Sequence, residues 1–155
     1  PHTIGRRQRQ MCIRDRNDSK QFDELVAKFE SQTPFAEILP MPDFSKIKNE
    51  DGELPVKVEH KNDKGEVVWT SSEFPKSGKA DDRWYNWCVN NWGTKWDAYD
   101  FITADVEEDT AEFAFNTAWG PAEGIYHYIV DHYPDVCISW FYDEPGMEFA
   151  GYLPN

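Results

Sequence analysis

The side chains best suited to chemistry cluster in three short segments that mix large aromatic residues with glycine or proline. These segments are residues 84–98 (WYNWCVNNWGTKWDA), 117–121 (TAWGP) and 144–151 (EPGMEFAG). Each should lie at the end of a helix or strand, where loops carry binding residues on a rigid scaffold. Large aromatic side chains also pack the corners of a core, so each segment has a structural interpretation as well. The candidate binding residues within them are Asn91, Trp92, Lys95, Trp96, Asp97, Trp119 and Met147.

The common signatures of catalysis are absent from the sequence. It contains no G-x-G-x-x-G, no phosphate-binding loop, no G-x-S-x-G nucleophile and no H-E-x-x-H zinc motif. His127 and His132 are five positions apart, a step that turns a helix by about 140° net, so the two rings should not face one metal ion. The acidic residues 107–109 are interpreted as solvated charges at a hairpin tip. We therefore predict no catalytic residue, no metal site and no cofactor, although an enzyme of unrecognised type stays an open alternative.

Length and charge restrict the classes of partner. The chain has 155 residues, the size of one domain, with 16 Lys and Arg against 29 Asp and Glu and a net charge of −13. A protein of this charge does not attract phosphate groups or anionic lipids, so we expect no direct binding to nucleic acid. No apolar run reaches the roughly 18 to 20 residues of a membrane-spanning helix, so we expect no membrane association.

Residues 1–16 (PHTIGRRQRQMCIRDR) differ abruptly from the rest of the chain. They hold five arginines and one aspartate, whereas the other 139 residues hold 11 basic and 28 acidic side chains, a net charge of −17. A basic arm is one interpretation of such a segment. The string RQMCIRDR resembles the translation of a sequencing adapter found in metagenomic reading frames, and we therefore predict that residues 1–16 are non-native and that the authentic N-terminus is missing. Only Cys88 and Cys137 then remain, without a secretory signal, which predicts reduced thiols in a cytoplasm.

Residue periodicity predicts three helices and four strands. The helices cover residues 18–30, 82–92 and 121–133, and the strands cover residues 99–106, 112–119, 136–142 and 148–153. Gly93 should end the second helix in the left-handed conformation. In the second strand, a period of two places Phe113, Phe115, Thr117 and Trp119 on one face, which we predict to be the core face.

The stretch between the first two helices is predicted to be irregular. Residues 33–42 hold three prolines, which deny backbone donors and predict an extended connector. Residues at about 43–80 are polar and are interpreted as a surface insertion. Within it, Val56 and Val58 should lie opposite Val67 and Trp69 in a hairpin.

The order of these elements predicts an α+β fold, with an antiparallel sheet covered by helices on one face. A strand before residue 17 would complete a βαββαβ, ferredoxin-like domain in which that strand occupies the middle of the sheet. Its loss would expose two strand edges, unless residues 10–14 fill the slot. We therefore predict a single ferredoxin-like domain at residues 17–155, with an insertion at about 43–80 and a first strand that is missing or replaced.

Four motifs also carry a resemblance to a known family. The strings NWGTKWDA at 91–98, TAWGP at 117–121 and EPGMEFAG at 144–151, together with ILPMP at 38–42, are similar to the YubB-type ferredoxin-like domain family of phages and plasmids. The resemblance covers most of residues 17–151 and implies a ferredoxin-like domain in mobile elements of bacteria, so the cytoplasm expected from the cysteines is that of a bacterial host cell. The family has no established biochemical activity, so the resemblance supplies no catalytic residue. The first strand and the insertion depart from the family pattern.

These observations favour an accessory protein of a phage or plasmid that is not an enzyme. We expect it to bind a host or phage protein through large apolar side chains near Trp92, Trp96, Trp119 and Met147. One alternative is an acidic mimic of nucleic acid that inhibits a host defence protein, motivated by the charge of −17 on residues 17–155. Another is an unrecognised binder of a small molecule or nucleotide.

Overall fold

The chain forms helices and antiparallel strands, which confirms the predicted α+β class. The computed structural model describes residues 7–17, 20–144, 146 and 148–154. The elements within these residues are β1 (Arg7–Asp15), α1 (Lys20–Glu30), α2 (Pro34–Ile38), a 3₁₀ helix (Phe44–Lys46), β2 (Val56–Lys61), β3 (Val67–Glu73), α3 (Arg83–Asn91), β4 (Tyr99–Val106), β5 (Thr110–Thr117), α4 (Glu123–His132), β6 (Val136–Glu144) and β7 (Phe149–Leu153). None of these helices is long and apolar enough to cross a membrane.

The chain divides into two compact units. The core unit comprises the described residues of 1–40 and 87–155, and the inserted unit comprises Met41–Asn86. The core unit holds a five-stranded sheet in the order β4-β5-β1-β6-β7, and every neighbouring pair of strands is antiparallel. The inserted unit holds a separate two-stranded sheet formed by β2 and β3.

Strand β1 occupies the middle of the core sheet. It pairs with β5 on one side and with β6 on the other, so that Cys12 lies opposite both Glu112 and Ser139. The slot that we predicted to be missing or replaced is therefore filled by Arg7–Asp15, part of the segment interpreted as non-native. That origin stays a prediction, because the position of a strand carries no information about its source.

The sequence of β1 fits a strand with one buried face. Met11 and Ile13 are fully buried, whereas the intervening Cys12 is half-buried and Gln10 and Arg14 are exposed. Alternate side chains of a strand point to opposite faces, so the spacing of Met11 and Ile13 fixes which face packs on the core. Burial of two such side chains contributes about 1.5–3 kcal/mol each. This alternation explains why the segment is accommodated at the centre of the sheet.

The core is largely aromatic and lies between the sheet and the helices. Helix α1 buries Phe22, Leu25, Val26 and Phe29, the helical spacing expected from the sequence. The ring of Phe29 lies 5.5 Å from that of Phe113, and the ring of Phe115 lies 5.5 Å from that of Trp140. The helix predicted at 18–30 is confirmed over Lys20–Glu30, and residues 18 and 19 lie outside the described residues.

The proline-rich connector is not wholly extended, and that prediction is wrong. Residues 34–38 form the short helix α2, which begins at Pro34 and ends before the next proline. A proline is tolerated at the first position of a helix, because the N–H that it lacks has no intrahelical partner there. The helix predicted at residues 121–133 corresponds to α4. It is shorter than predicted, because it begins at Glu123 rather than at Pro121.

The predicted hairpin of the inserted unit is present, but with a different register. Val56 lies opposite Glu73 and Val58 lies opposite Ser71, so neither valine faces Val67 or Trp69 as predicted. The turn is closed by Asn62, whose side-chain oxygen accepts from the N–H groups of residues 64 and 66 at 3.0 Å each. Gly65 adopts a φ of 80° at this turn, a conformation available to glycine without a steric penalty.

Candidate functional site

A lysine held between two exposed indoles is the most distinctive surface feature of the core unit. The Lys95 Nζ lies 4.9 Å from the ring centroid of Trp96 and 5.0 Å from that of Trp119. Trp96 is 37% exposed and Trp119 is 53% exposed. Both distances are within the roughly 6 Å range of cation–π attraction, which is strongest for tryptophan. We call Lys95, Trp96 and Trp119 the cation–indole cluster.

Trp119 has a strained backbone and does not lie on the core face. Strand β5 ends at Thr117, and Trp119 has a φ of 66°, which reverses the alternation of side chains. Ala118 is fully buried, whereas Trp119 faces solvent. The prediction that Trp119 shares the core face with Phe113, Phe115 and Thr117 is therefore wrong. A residue with a Cβ in this conformation costs about 1–2 kcal/mol, and such strain concentrates at functional sites.

Hydrogen bonds fix the turn that presents Trp119. The Thr117 hydroxyl donates to the carbonyl oxygen of Gly120 at 2.8 Å, and the Gly120 N–H donates to the carbonyl oxygen of Ala118 at 2.9 Å. The hydroxyl of Thr94 also donates to the Ala118 carbonyl oxygen at 2.8 Å, which joins this turn to the loop that carries Lys95. These hydrogen bonds therefore connect the loop that carries Lys95 and Trp96 to the turn that carries Trp119.

Two glycines allow the close backbone approach behind the cluster. Gly93 follows the end of α3 with a φ of 82°, which confirms the predicted left-handed stop. A Cβ on Gly93 would lie 3.0 Å from the backbone nitrogen of Glu123. A Cβ on Gly124 would lie 2.7 Å from the carbonyl carbon of Asn91, and closer still to its oxygen. The end of α3 therefore packs backbone to backbone against the start of α4, a contact that only glycine permits.

Trp92 and Asn91 make hydrogen bonds within the core unit. Trp92 is only 4% exposed, and its indole N–H donates to the carbonyl oxygen of Leu39 at 2.9 Å. Its ring packs edge-on against those of Phe35 and Trp87. The side-chain amide of Asn91 donates to the carbonyl oxygen of Trp87 at 2.9 Å. Of these two candidate residues, Trp92 is buried in the core and Asn91 is half-buried.

Asp97 caps helix α2. Its two carboxylate oxygens accept from the backbone N–H groups of Phe35 and Ala36, each at 2.9 Å, and one of them also accepts from Ala98 at 2.8 Å. Burial raises the pKa of Asp97 above its ordinary value in spite of these three donors. The carboxylate therefore points toward the helix N-terminus and fixes the chain immediately after Trp96.

The remaining candidates for chemistry are dispersed. Met147 lies outside the described residues. On α4, the ring of His132 stacks on Tyr128 at 3.9 Å, and the ring of His127 lies edge-on to Tyr126. In the part of the chain that the structure describes, no group of three His, Cys, Asp or Glu side chains is placed to hold a metal ion.

One polar cluster was not found from the sequence. On the hairpin, the Nε2 of His60 lies 2.8 Å from the Ser71 hydroxyl and 3.4 Å from a Glu73 carboxylate oxygen, and the ring stacks on Trp69 at 3.6 Å. Ser71 also donates to Glu73. A nucleophile triad needs the serine and the acid on different ring nitrogens, whereas here both approach Nε2. The strand register, which brings these residues together, was the missing signal.

Lys95 is distinctive in its charge. It is the only lysine or arginine of residues 87–155, a stretch that holds thirteen Asp and Glu residues. The one cationic side chain of this stretch thus lies between the two indoles.

Comparisons with known proteins found no similar protein. No protein-family model, curated protein or solved structure matches this chain. The resemblance to the YubB-type family stays a prediction.

Proposed function

We propose that this protein is a binding module that engages another protein through the cation–indole cluster and performs no catalysis. The observation that carries the proposal is Trp119, a large side chain held in solvent by a strained backbone at a φ of 66°. A glycine would relieve that strain, so the backbone conformation does not favour a tryptophan there. Tryptophan is, with tyrosine and arginine, enriched among the energetically dominant positions of protein interfaces.

The finer classification of the fold belongs to the same proposal. The core unit is a ferredoxin-like domain, and the order of β4, β5, β1 and β6 supports this, because that fold places the first strand between the third and fourth of its four strands. The YubB resemblance further supports a phage or plasmid accessory protein with a host or phage protein as its partner.

A cross-linking experiment tests the position of β1 that this fold requires. Arg14 lies opposite Cys137 and Cys12 lies opposite Ser139, so Cys12 and Cys137 are diagonal neighbours about 7–8 Å apart on one face. A short bismaleimide should link these two thiols within one molecule, while the buried Cys88 stays unmodified. Mass spectrometry of the digested protein identifies the linked pair. A failure to link Cys12 to Cys137, with both thiols reactive, would remove β1 from this position.

Protein capture tests the binding function. Wild-type protein, Trp119→Ala and the matched control Trp69→Ala are immobilised and exposed to a lysate of phage-infected bacteria. Trp69 is a suitable control because it is 56% exposed but belongs to the inserted unit. We expect the same protein to be retained by the wild type and Trp69→Ala and lost by Trp119→Ala. Retention by Trp119→Ala, or no retention by the wild type, contradicts the proposal.

A second candidate function rests on charge. An acidic mimic of nucleic acid is favoured by the thirteen acidic residues of positions 87–155 against one lysine. Binding by such a mimic should weaken steeply between low and high salt, because screening removes attraction between exposed charges. Binding that depends on the cation–indole cluster should be lost in Trp119→Ala, whereas a mimic binds through its carboxylates and should tolerate this substitution. The salt dependence of the captured complex, taken together with the effect of Trp119→Ala, therefore separates the two functions.

A further inference from the structure

The cation–indole cluster has the form of a cation site that is already occupied. Lys95 Nζ lies at nearly equal distances from the two ring centroids, 4.9 and 5.0 Å. Paired aromatic faces around an ammonium are the arrangement with which proteins recognise cationic ligands. Here the occupant is a side chain of the same chain, while both indoles remain substantially exposed.

Charge determines which partner group suits these indoles. Residues 1–40 and 87–155 together hold 19 acidic and 8 basic side chains, and five of those basic residues are the arginines of residues 1–16. The field of this part of the chain therefore attracts cationic groups and repels anionic ones. An acidic partner would have to overcome this field to reach the single ammonium of Lys95, whereas a basic partner is favoured both by the field and by the indole faces.

We infer that Trp96 and Trp119 form a clamp for an arginine or lysine side chain of a basic partner protein, and that Lys95 is its internal occupant in the free protein. The inference rests on the proposed function and specifies its partner chemistry. On binding, the partner's guanidinium or ammonium takes the place of the Lys95 ammonium, which moves into solvent. One cation replaces another, so Lys95 acts as a competitor and lowers the apparent affinity of the clamp.

Removal of the competitor tests the inference directly. The full chain is compared as wild type, Lys95→Ala and the matched control Lys95→Arg, which retains a cation. The probes are N-acetyl-arginine amide and a tetraglutamate peptide at constant ionic strength. The readout is the indole N–H resonances of Trp96 and Trp119 in NMR spectra, assigned by single substitution to phenylalanine. Unchanged backbone spectra show that each variant is folded.

We expect Lys95→Ala to bind N-acetyl-arginine amide about tenfold more tightly than the wild type, the equivalent of one or two competing cation–π contacts. Lys95→Arg should bind as weakly as the wild type. Equal binding by Lys95→Ala and the wild type overturns the clamp. A tetraglutamate-induced shift in the wild type that disappears in Lys95→Ala also overturns it, because Lys95 would then contact an anion directly.

Failure of the clamp and failure of the proposed function give different results. If Lys95→Ala gains no affinity but protein capture still depends on Trp119, the binding function stands and the cationic partner is wrong. If capture does not depend on Trp119, the proposed function itself fails.

Discussion

The two units of this chain are stabilised in opposite ways. The core unit buries its large apolar side chains, and Phe29, Phe35, Phe113, Phe115 and Trp140 are all less than 2% exposed. In the inserted unit, all of which the structure describes, Phe74 is the one large apolar side chain that is buried. Its other large apolar side chains include Val56, Val67, Val68 and Trp69 on the hairpin, and these are exposed. Compactness in the inserted unit must therefore have another source.

Arg83 is one such source, beside the backbone hydrogen bonds of the β2–β3 hairpin. Its guanidinium lies 5.0 Å from the ring centroid of Phe44 and 5.2 Å from that of Phe74. It donates to both carboxylate oxygens of Asp81 at 2.7 Å and to the carbonyl oxygens of Phe44 and Ile47 at 2.9 Å. Arginine suits this position because its planar fork satisfies several acceptors at once while its faces stack on aromatic rings. The comparison shows that one chain combines an apolar core with a segment organised around a single cation.

The largest expected effect is steric and falls on the core unit. Gly124→Ala places a methyl group against the backbone of Asn91, so the C-terminal end of α3 and the N-terminal end of α4 must move apart. We expect a loss of about 3 kcal/mol in the free energy of unfolding. Gly78→Ala in the inserted unit is the control: its Cβ would enter open space, and only its φ of 64° opposes the change, at about 1 kcal/mol. Denaturant unfolding measures both, and equal losses would contradict the close packing at Gly124.

The second largest expected effect is the loss of an ion pair in the inserted unit. Arg83→Ala leaves the largely buried Asp81 carboxylate without its bidentate partner, and we expect a loss of about 2–3 kcal/mol. Hydrogen exchange should show lost protection in β2 and β3 with little change in β1 and β6. Arg83→Lys should recover only part of the protection, because an ammonium cannot bond both oxygens and stack on two rings. Equal loss of protection in both sheets would show that the units are not stabilised separately.

The response to acid should also differ between the units. Hydrogen bonds from Arg83 lower the pKa of Asp81 below its ordinary value of 3.8, so its stabilising contribution is present at neutral pH and is lost as the pH falls below about 4. Burial raises the pKa of Asp97, so its ionised form opposes folding at neutral pH and this opposition disappears on acidification.

The stability of Asp97→Asn relative to the wild type isolates the second contribution. The advantage of the wild type should increase as the pH falls from 7 towards 4, and denaturant unfolding across that range measures it. An advantage that shrinks on acidification would mean that the three N–H donors outweigh burial at Asp97. In the inserted unit, exchange protection of β2 and β3 should instead decrease below about pH 4.

Local patterns predicted most of the helices and strands, although not α2 or the whole of β1, whereas contacts between distant residues were not predictable. The left-handed stop at Gly93 follows from residues within one turn of helix, and the burial of Met11 and Ile13 follows from alternation within β1. By contrast, Asp97 caps a helix 61 and 62 residues earlier in the chain. Arg83 likewise joins carbonyl groups of residues 36 and 39 positions away. No spacing rule in the sequence connects such groups.

Trp119 of the cation–indole cluster also shows where prediction from local patterns fails. The segments around Lys95, Trp96 and Trp119 were selected from the sequence because they combine aromatic residues with glycine at the ends of elements. The period of two then placed Trp119 in the core, since it assumes that a strand continues. The strand ends at Thr117, and a positive φ two residues later turns the indole outward.

The smallest expected change in stability is at Trp119, and it separates a binding residue from a packing residue. Trp119→Gly removes the indole and its cation–π contact, and glycine also gives the unfolded chain more conformational freedom. Both changes lower stability. The substitution also relieves the backbone strain at a φ of 66°, which raises stability and offsets these losses. We expect the free energy of unfolding to stay within about 1 kcal/mol of the wild type. Trp92→Ala, the matched change at a buried indole of the same unit, should cost about 3 kcal/mol or more. If both variants lose stability equally, Trp119 is retained for packing, and the reason to assign it to an interface is gone.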